Sequence, residues 1–222
     1  MPLIPPRAIL FDLDGTLADT APDLAGAMNR LRIERGLPPT PYEQLRPVAS
    51  AGARGLIGAA FGLKAGDEGY EELRVAFLDN YAGALAVESR LFDGVPALLG
   101  TLLDHGLIWG IVTNKAARFT DPLVPQIGLG EARCVVSGDT TPHSKPHPEP
   151  LLEAARRLGL APQECWYVGD DLRDIQAGHA AGMTTIAAAW GYCGNVEPIT
   201  WGADAIAETP LQVFDLIREK LT

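Results

Sequence analysis

The chain has few cysteines, no cluster of basic residues and no long apolar run, and each lack removes a class of function. Cys134, Cys165 and Cys193 are widely separated and form no CxxC pair. That usage fits a reducing compartment and excludes a thiolate zinc site. His105, His143, His147 and His179 show no metal-ligand spacing either. A net charge of −10 without a basic stripe argues against nucleic acid as a partner. No segment approaches the ~20 apolar residues of a membrane span, so no membrane partner is expected. The opening MPLIPPRAILFDLDG runs straight into an apolar strand, without a signal peptide's charged start and cleavage site. The expected location is cytoplasmic.

What is present suffices for a substantial core: 222 residues, 47% of them hydrophobic, as one domain or one domain with an insertion. The run Ala8-Ile9-Leu10-Phe11 ends abruptly in Asp12-Leu13-Asp14-Gly15-Thr16. A short apolar run bounded by a turn signal reads as a buried parallel strand. In open α/β sheets, chemistry sits just beyond the carboxyl ends of such strands. DxDG also occurs in calcium loops, but the third acid and the later Glu of an EF-hand are missing.

Beyond Thr16 the periodicity turns helical. Asp19-Thr20 with Pro22 marks a helix start, Leu24, Ala27, Met28 and Leu31 recur at helical spacing, and Gly36 stops it. Thr40-Pro41-Tyr42-Glu43 reads as a capping box. A small, turn-rich stretch, SAGARG, carries Arg54, and further helices follow to about Phe61 and across Tyr70, Leu73, Phe77 and Tyr81. From Gly94 onward, strands at 107–112, 134–136, 165–168 and 184–188 alternate with helices at 95–105, 116–127, 148–158, 171–181 and 210–221. Such alternation means βαβ units, a parallel sheet and right-handed crossovers. The expected architecture is an α/β core, residues 1–17 and 89–222, with an all-helical cap, 18–88, lying over the active edge.

Polar residues recur at the strand ends: Asp12 and Asp14, then Thr113-Asn114-Lys115, Ser144-Lys145-Pro146, and Gly169-Asp170-Asp171 with Asp174 a turn later. Two carboxylates ~4 Å apart at an effective dielectric near 20 repel by about 4 kcal/mol. Asp12, Asp14 and Asp170 therefore need a cation to share a site, and oxygen ligands with room for water and phosphate point to Mg²⁺. Asp12 is placed to attack phosphorus, and Asp14 to protonate the leaving oxygen and later deprotonate water. The Thr113 hydroxyl, an Asn114 backbone N–H and the Lys145 charge suit phosphoryl oxygens. Taken singly, Lys145 is an ordinary surface lysine, Thr113 a turn residue, and Asp171 and Asp174 are acids favoured by a helix dipole. Together and in this order they make one chemistry.

FDLDGT, VTN, SKPHPEPL and GDDLRDIQAG resemble the four motifs of the haloacid-dehalogenase superfamily, in order and across the whole chain. The resemblance implies a Rossmann-like core with an inserted cap, and a phosphatase in which Asp12 is the nucleophile and Asp14 the acid/base. It implies that Thr113 and Lys145 bind phosphate, and that Asp12, Asp14 (through its backbone carbonyl) and Asp170 hold Mg²⁺. The second acid of the last motif, Asp171 or Asp174, stays open. GLPP at 36–39, SAGARG, TNKAARF and the GY…WGAD tail are similar to the phosphoglycolate-phosphatase-like group, and in particular to the branch acting on N-acetylmuramic acid 6-phosphate. The implied partner is a small phosphate ester and the implied state a monomer or weak homodimer. Both named substrates carry a carboxylate, which the Arg54 guanidinium can hold by paired hydrogen bonds. A haloacid dehalogenase has no task for Asp14, and a phosphoacceptor signalling domain needs no inserted lid. A sugar-phosphate mutase uses the same acid/base and stands as the remoter alternative.

Overall fold

The computed structural model describes residues 5–194 and 196–221, with the side chains of 219–221 left aside. Residues 1–4, the start of the stretch read against a leader, fall outside the described residues. In chain order the elements are β1 (Ala8–Phe11), β2 (Ala18–Asp19), α1 (Ala21–Glu34), α2 (Tyr42–Leu45), α3 (Gly52–Phe61), α4 (Tyr70–Ala82), β3 (Arg90–Leu91), α5 (Val95–Asp104) and β4 (Ile108–Val112). They continue as α6 (Ala117–Gln126), β5 (Val135–Val136), α7 (Glu149–Leu158), β6 (Cys165–Gly169), α8 (Leu172–Ala181), β7 (Thr184–Ala188), β8 (Ala205–Ala207) and α9 (Pro210–Leu221).

A six-stranded parallel sheet runs in the order β5-β4-β1-β6-β7-β8. Residues of β1 are buried on both faces, and the period of two sends them to separate cores. Ile9 and Phe11 join Trp109, Ile111, Trp166 and Val168 under α5 and α9, whereas Ala8 and Leu10 join Val112 and Tyr167 under α7 and α8. The chain moves outward from β1 through β4 to β5, then returns to β6 on the other flank. That reversal opens a crevice at the carboxyl ends of β1 and β6, where such sheets bind ligands.

The helical cap leaves and rejoins the core through the antiparallel pair β2 and β3, with Ala18 opposite Leu91 and Asp19 opposite Arg90. Asp23 clasps this junction, its carboxylate accepting the backbone N–H groups of Val87 (3.1 Å), Glu88 (3.0 Å) and Ser89 (2.8 Å) and the Ser89 hydroxyl (2.6 Å). The cap has its own apolar centre, in which Leu24, Met28, Leu56, Phe77 and Tyr81 pack with Phe119 and Tyr192 from the core. Burying a side chain of this size contributes about 1.5–3 kcal/mol, so the two core aromatics tie the cap down.

Two local expectations change. The capping box at Thr40 does not form; the Asn29 amide holds the Thr40 backbone instead (2.8 and 3.0 Å), and α2 starts after Pro41 without a side-chain cap. The turn-rich SAGARG stretch is a 3-10 helix over Arg46–Ala51 followed by the first turn of α3. Strand β8 was too short for its period to show. Among the described residues, no helix is long and apolar enough to cross a membrane.

Candidate active site

Asp12 follows β1, Thr113 follows β4 and Asp170 follows β6, so the sheet delivers all three to one edge. Gly15 adopts φ +90°, and a Cβ there or on Gly191 would collide with the Asp170 side chain. Only glycine lets the two loops close so tightly on that carboxylate. Carboxylate oxygens of Asp12, Asp170 and Asp174 lie within 4.8 Å of one another, all buried.

Lys145 sits beneath this trio. Its Nζ donates to Asp174 Oδ1 (2.7 Å), to the Tyr167 hydroxyl (2.7 Å) and to the Val112 carbonyl (3.0 Å), and lies 3.0 Å from Asp12 Oδ1. Burial opposes the lysine's charge, but Asp12 and Asp174 outweigh it and raise its pKa. Among the described residues Asp170 makes no ion pair: it accepts from Thr16 Oγ1 (2.8 Å), the Tyr192 N–H (2.9 Å) and Ser50 Oγ (3.2 Å). Burial, with Asp12 and Asp174 adding repulsion, pushes the Asp170 pKa well above the ordinary carboxylate range. Lys145 thus pairs with two of the three buried carboxylates. The donor set, all oxygen and in negative excess, fits a hard divalent cation such as Mg²⁺.

The open choice between Asp171 and Asp174 acquires a geometry. Asp171 is the N-cap of α8, accepting from the Arg173 N–H (2.9 Å), and its two oxygens take Arg173 Nε and Nη2 (both 2.8 Å). Arg173 pulls the Asp171 pKa below its ordinary value against the burial that would raise it. Asp174, one turn into the helix, is the acid that joins the trio.

Asp14 stands apart from the trio's carboxylates. Lys115 Nζ contacts both its oxygens (2.9 and 3.0 Å) and Thr20 Oγ1 donates to Oδ1 (2.5 Å). The same ammonium lies 4.8 Å from the centroid of the Tyr81 ring, a cation–π contact that links the acid to the cap. Lys115 appears in the TNK motif directly after Asn114, yet sequence reasoning gave it no role, nor Thr20, Ser50, Tyr81, Tyr192 or Arg173. Thr113 is buried with its hydroxyl accepting from the Lys115 N–H (3.2 Å), whereas the Asn114 side chain brackets the Lys145 backbone (2.9 Å in both directions). The Asn114 side chain therefore positions the Lys145 loop.

A cavity of about 590 Å³ opens above these residues. Asp12, Asp14, Thr113, Asn114 and Lys115 form its base, and Leu24, Ser50, Phe77, Tyr81 and Phe119 line the walls. Arg54 is not among the lining residues and is exposed. Helix α3 buries Leu56, Ile57 and Ala60, and the step of about 100° per residue leaves position 54 on the exposed flank of that stripe. Ser50 to Ala53 face the cavity instead.

The model of the haloacid dehalogenase-like hydrolase family matches residues 9–188. The N-acetylmuramic acid 6-phosphate phosphatase of Pseudomonas aeruginosa is 45% identical over 217 residues, covering 97% of this chain and 96% of its own. A phosphoglycolate phosphatase of Xanthomonas campestris is 48% identical over 214 residues, covering 95% and 96%. The crystal structure of a predicted phosphoglycolate phosphatase from Haemophilus somnus superposes with a TM-score of 0.82 at 26% identity, covering 95% of this chain and 97% of that one. With motifs, sheet order, cap and acidic edge in agreement, the chain belongs to the haloacid dehalogenase-like hydrolase family, and its kinship there is with the phosphatases.

Proposed function

We propose that the protein is a Mg²⁺-dependent phosphomonoester hydrolase working through an aspartyl-phosphate, on N-acetylmuramic acid 6-phosphate. The observation that carries the chemistry is the buried trio Asp12, Asp170 and Asp174, with Lys145 paired to Asp12 and Asp174. Asp12 faces the cavity and is the nucleophile; its oxygen forms a bond to phosphorus while the ester P–O bond breaks. Asp14, oriented by Lys115 and Thr20, gives a proton to the leaving oxygen. Asp14 then takes a proton from the water that attacks the phosphoaspartate, and inorganic phosphate leaves as the bond to Asp12 breaks. The Thr113 hydroxyl and Asn114 N–H stabilise the transferring oxygens, and Lys145 holds Asp12 in its attacking position. Asp12, the Asp14 carbonyl, Asp170 and Asp174 would hold Mg²⁺, which would neutralise the carboxylates and the phosphoryl charge. Residues 18–88 act as the lid over a core of 1–17 and 89–222, in a cytoplasmic enzyme.

The size and walls of the cavity favour the amino-sugar phosphate. About 590 Å³ lined partly by Leu24, Phe77, Leu78 and Phe119 suits a pyranose with its acetyl and lactyl groups. Phosphoglycolate, the second reading, is favoured by the 48% identity to a relative of that name, but it would leave most of this space to water. The test compares kcat/KM for both esters on one preparation, with and without chelator. Preference for the amino sugar, lost on chelation and restored by Mg²⁺, supports the proposal. Preference for phosphoglycolate replaces the substrate, and full activity under excess chelator removes the metal.

A further inference from the structure

The cavity walls carry cationic side chains, and all but one are engaged. Lys115 is bound to Asp14 (2.9 Å), Arg173 to Asp171 (2.8 Å) and Arg74 to Glu71 (2.8 Å). Arg118 makes no hydrogen bond or ion pair among the described residues. Its guanidinium rests over the Phe119 ring, 4.4 Å from the centroid, which fixes its place without using its donors. It stands in the first turn of α6, three residues after Lys115, and lines the cavity without contacting Asp12 or Asp14.

A second observation points to a ligand in the same space. Tyr81 lines the cavity and is almost fully buried, and its hydroxyl, beside the Lys115 ammonium, makes no hydrogen bond of ordinary geometry among the described residues. Buried hydroxyls are rarely left so, and this one lies on the cavity wall, where a polar group of a ligand would complete it. On α4 the wall then extends from Tyr81 to Arg74, about 10 Å at 1.5 Å per residue. The space is long enough for a substrate whose second charge lies well away from its phosphate.

We propose that Arg118 is the receptor for a carboxylate that the substrate carries remote from its phosphoryl group, making the cavity selective for phosphorylated sugar acids over neutral sugar phosphates. This rests on the phosphatase reading above. A planar guanidinium with free donors matches a carboxylate by two parallel hydrogen bonds. One uncommitted cation, with Asp79 on the α4 wall, suits a monoanion better than a second phosphate. The role first expected of Arg54 thereby passes to a residue that faces the cavity.

The test uses a matched pair: N-acetylmuramic acid 6-phosphate and N-acetylglucosamine 6-phosphate, which lacks the lactyl carboxylate. Arg118→Ala should lower kcat/KM for the first about 10²-fold, chiefly through KM, and leave the second within about twofold. Arg118→Lys should recover only part of the loss, because an ammonium cannot copy the fork. Equal losses on both esters, or no loss on either, overturn the proposal. If the wild type ignores both sugars but hydrolyses phosphoglycolate, the substrate reading fails, and the variant is then measured on phosphoglycolate against ethyl phosphate. A selective loss there keeps Arg118 as the carboxylate receptor, and an equal or absent loss removes it. A wild type that turns over no phosphate ester overturns both readings.

Discussion

The base of the cavity and its lid differ in how their charges are satisfied. At the base nearly every polar atom is held by another: Lys145 by Asp12, Asp174, Tyr167 and the Val112 carbonyl, Asp14 by Lys115 and Thr20, Asp171 by Arg173. On the outer walls Arg118 and Asp79 are exposed and loosely held, and Arg74 has only a half-exposed helical ion pair with Glu71. The base is preorganised, so a single change there propagates. The walls are replaceable, so a change there alters which ester fits and leaves the chemistry intact.

The largest effect should come from breaking the base at its most coupled point. Lys145→Met leaves Asp12 and Asp174 without their shared cation, and removing one partner of a buried ion pair costs about 3–5 kcal/mol. A correspondingly lowered Tm and near-complete loss of kcat are expected, from thermal denaturation and steady-state kinetics. A stable, active Lys145→Met enzyme would mean that the trio does not depend on its lysine.

Next comes Lys115→Ala, which removes the group that orients Asp14 and bridges to Tyr81. Positioned acid–base catalysis is worth about 10²–10⁴-fold, and misorientation should take part of it, so kcat should fall about 10²-fold with KM little changed. A pure KM effect would turn Lys115 into a binding residue and blur the line between base and wall.

A smaller effect concerns metal and pH. Burial raises the Asp170 pKa, so in the metal-free chain the folded state binds more protons than the unfolded one as pH falls through that raised value. Metal-free stability should therefore rise with acidification in that window, while Mg²⁺ demands the ionised form. The stabilisation by Mg²⁺, read as a rise in Tm, should be largest at neutral pH and above, ~2.7 kcal/mol at a hundredfold excess over Kd, and shrink as pH falls. A pH-independent Mg²⁺ effect would place the ion elsewhere. Smallest of all is Arg54→Ala: on the exposed side of α3, it should leave kcat/KM within about twofold on every ester, and a large selective loss would return Arg54 to the cavity.

The same contrast explains what the sequence could reveal. Asp12, Thr113 and Asp170 are legible because each directly follows an apolar strand, and a parallel sheet brings strand ends together; Lys145 lies in the loop after β5 and is legible by its motif. The choice of Asp174 over Asp171 needed the helix itself: the N-cap acid turns back to its own first turn, while the third helical residue points down to Lys145. Arg54 was misplaced because a Gly/Ala-rich stretch looked like a loop, whereas its phase on α3 is set by Leu56, Ile57 and Ala60 packing into the cap. Arg118 and Tyr81 were silent for a related reason. Their meaning arises only where α4 and α6 face one cavity, a pairing of distant segments that no local pattern encodes.

On the proposed mechanism Asp12 accepts the phosphoryl group. It is tested most directly by mixing enzyme, Mg²⁺ and substrate, quenching with acid during turnover, and locating the phosphoryl group by peptide mass spectrometry. One phosphoryl group is expected on Asp12, absent from Asp12→Asn, which should be folded and inactive. A phosphoryl group on another residue, or an Asp12→Asn enzyme that still turns over, would contradict it.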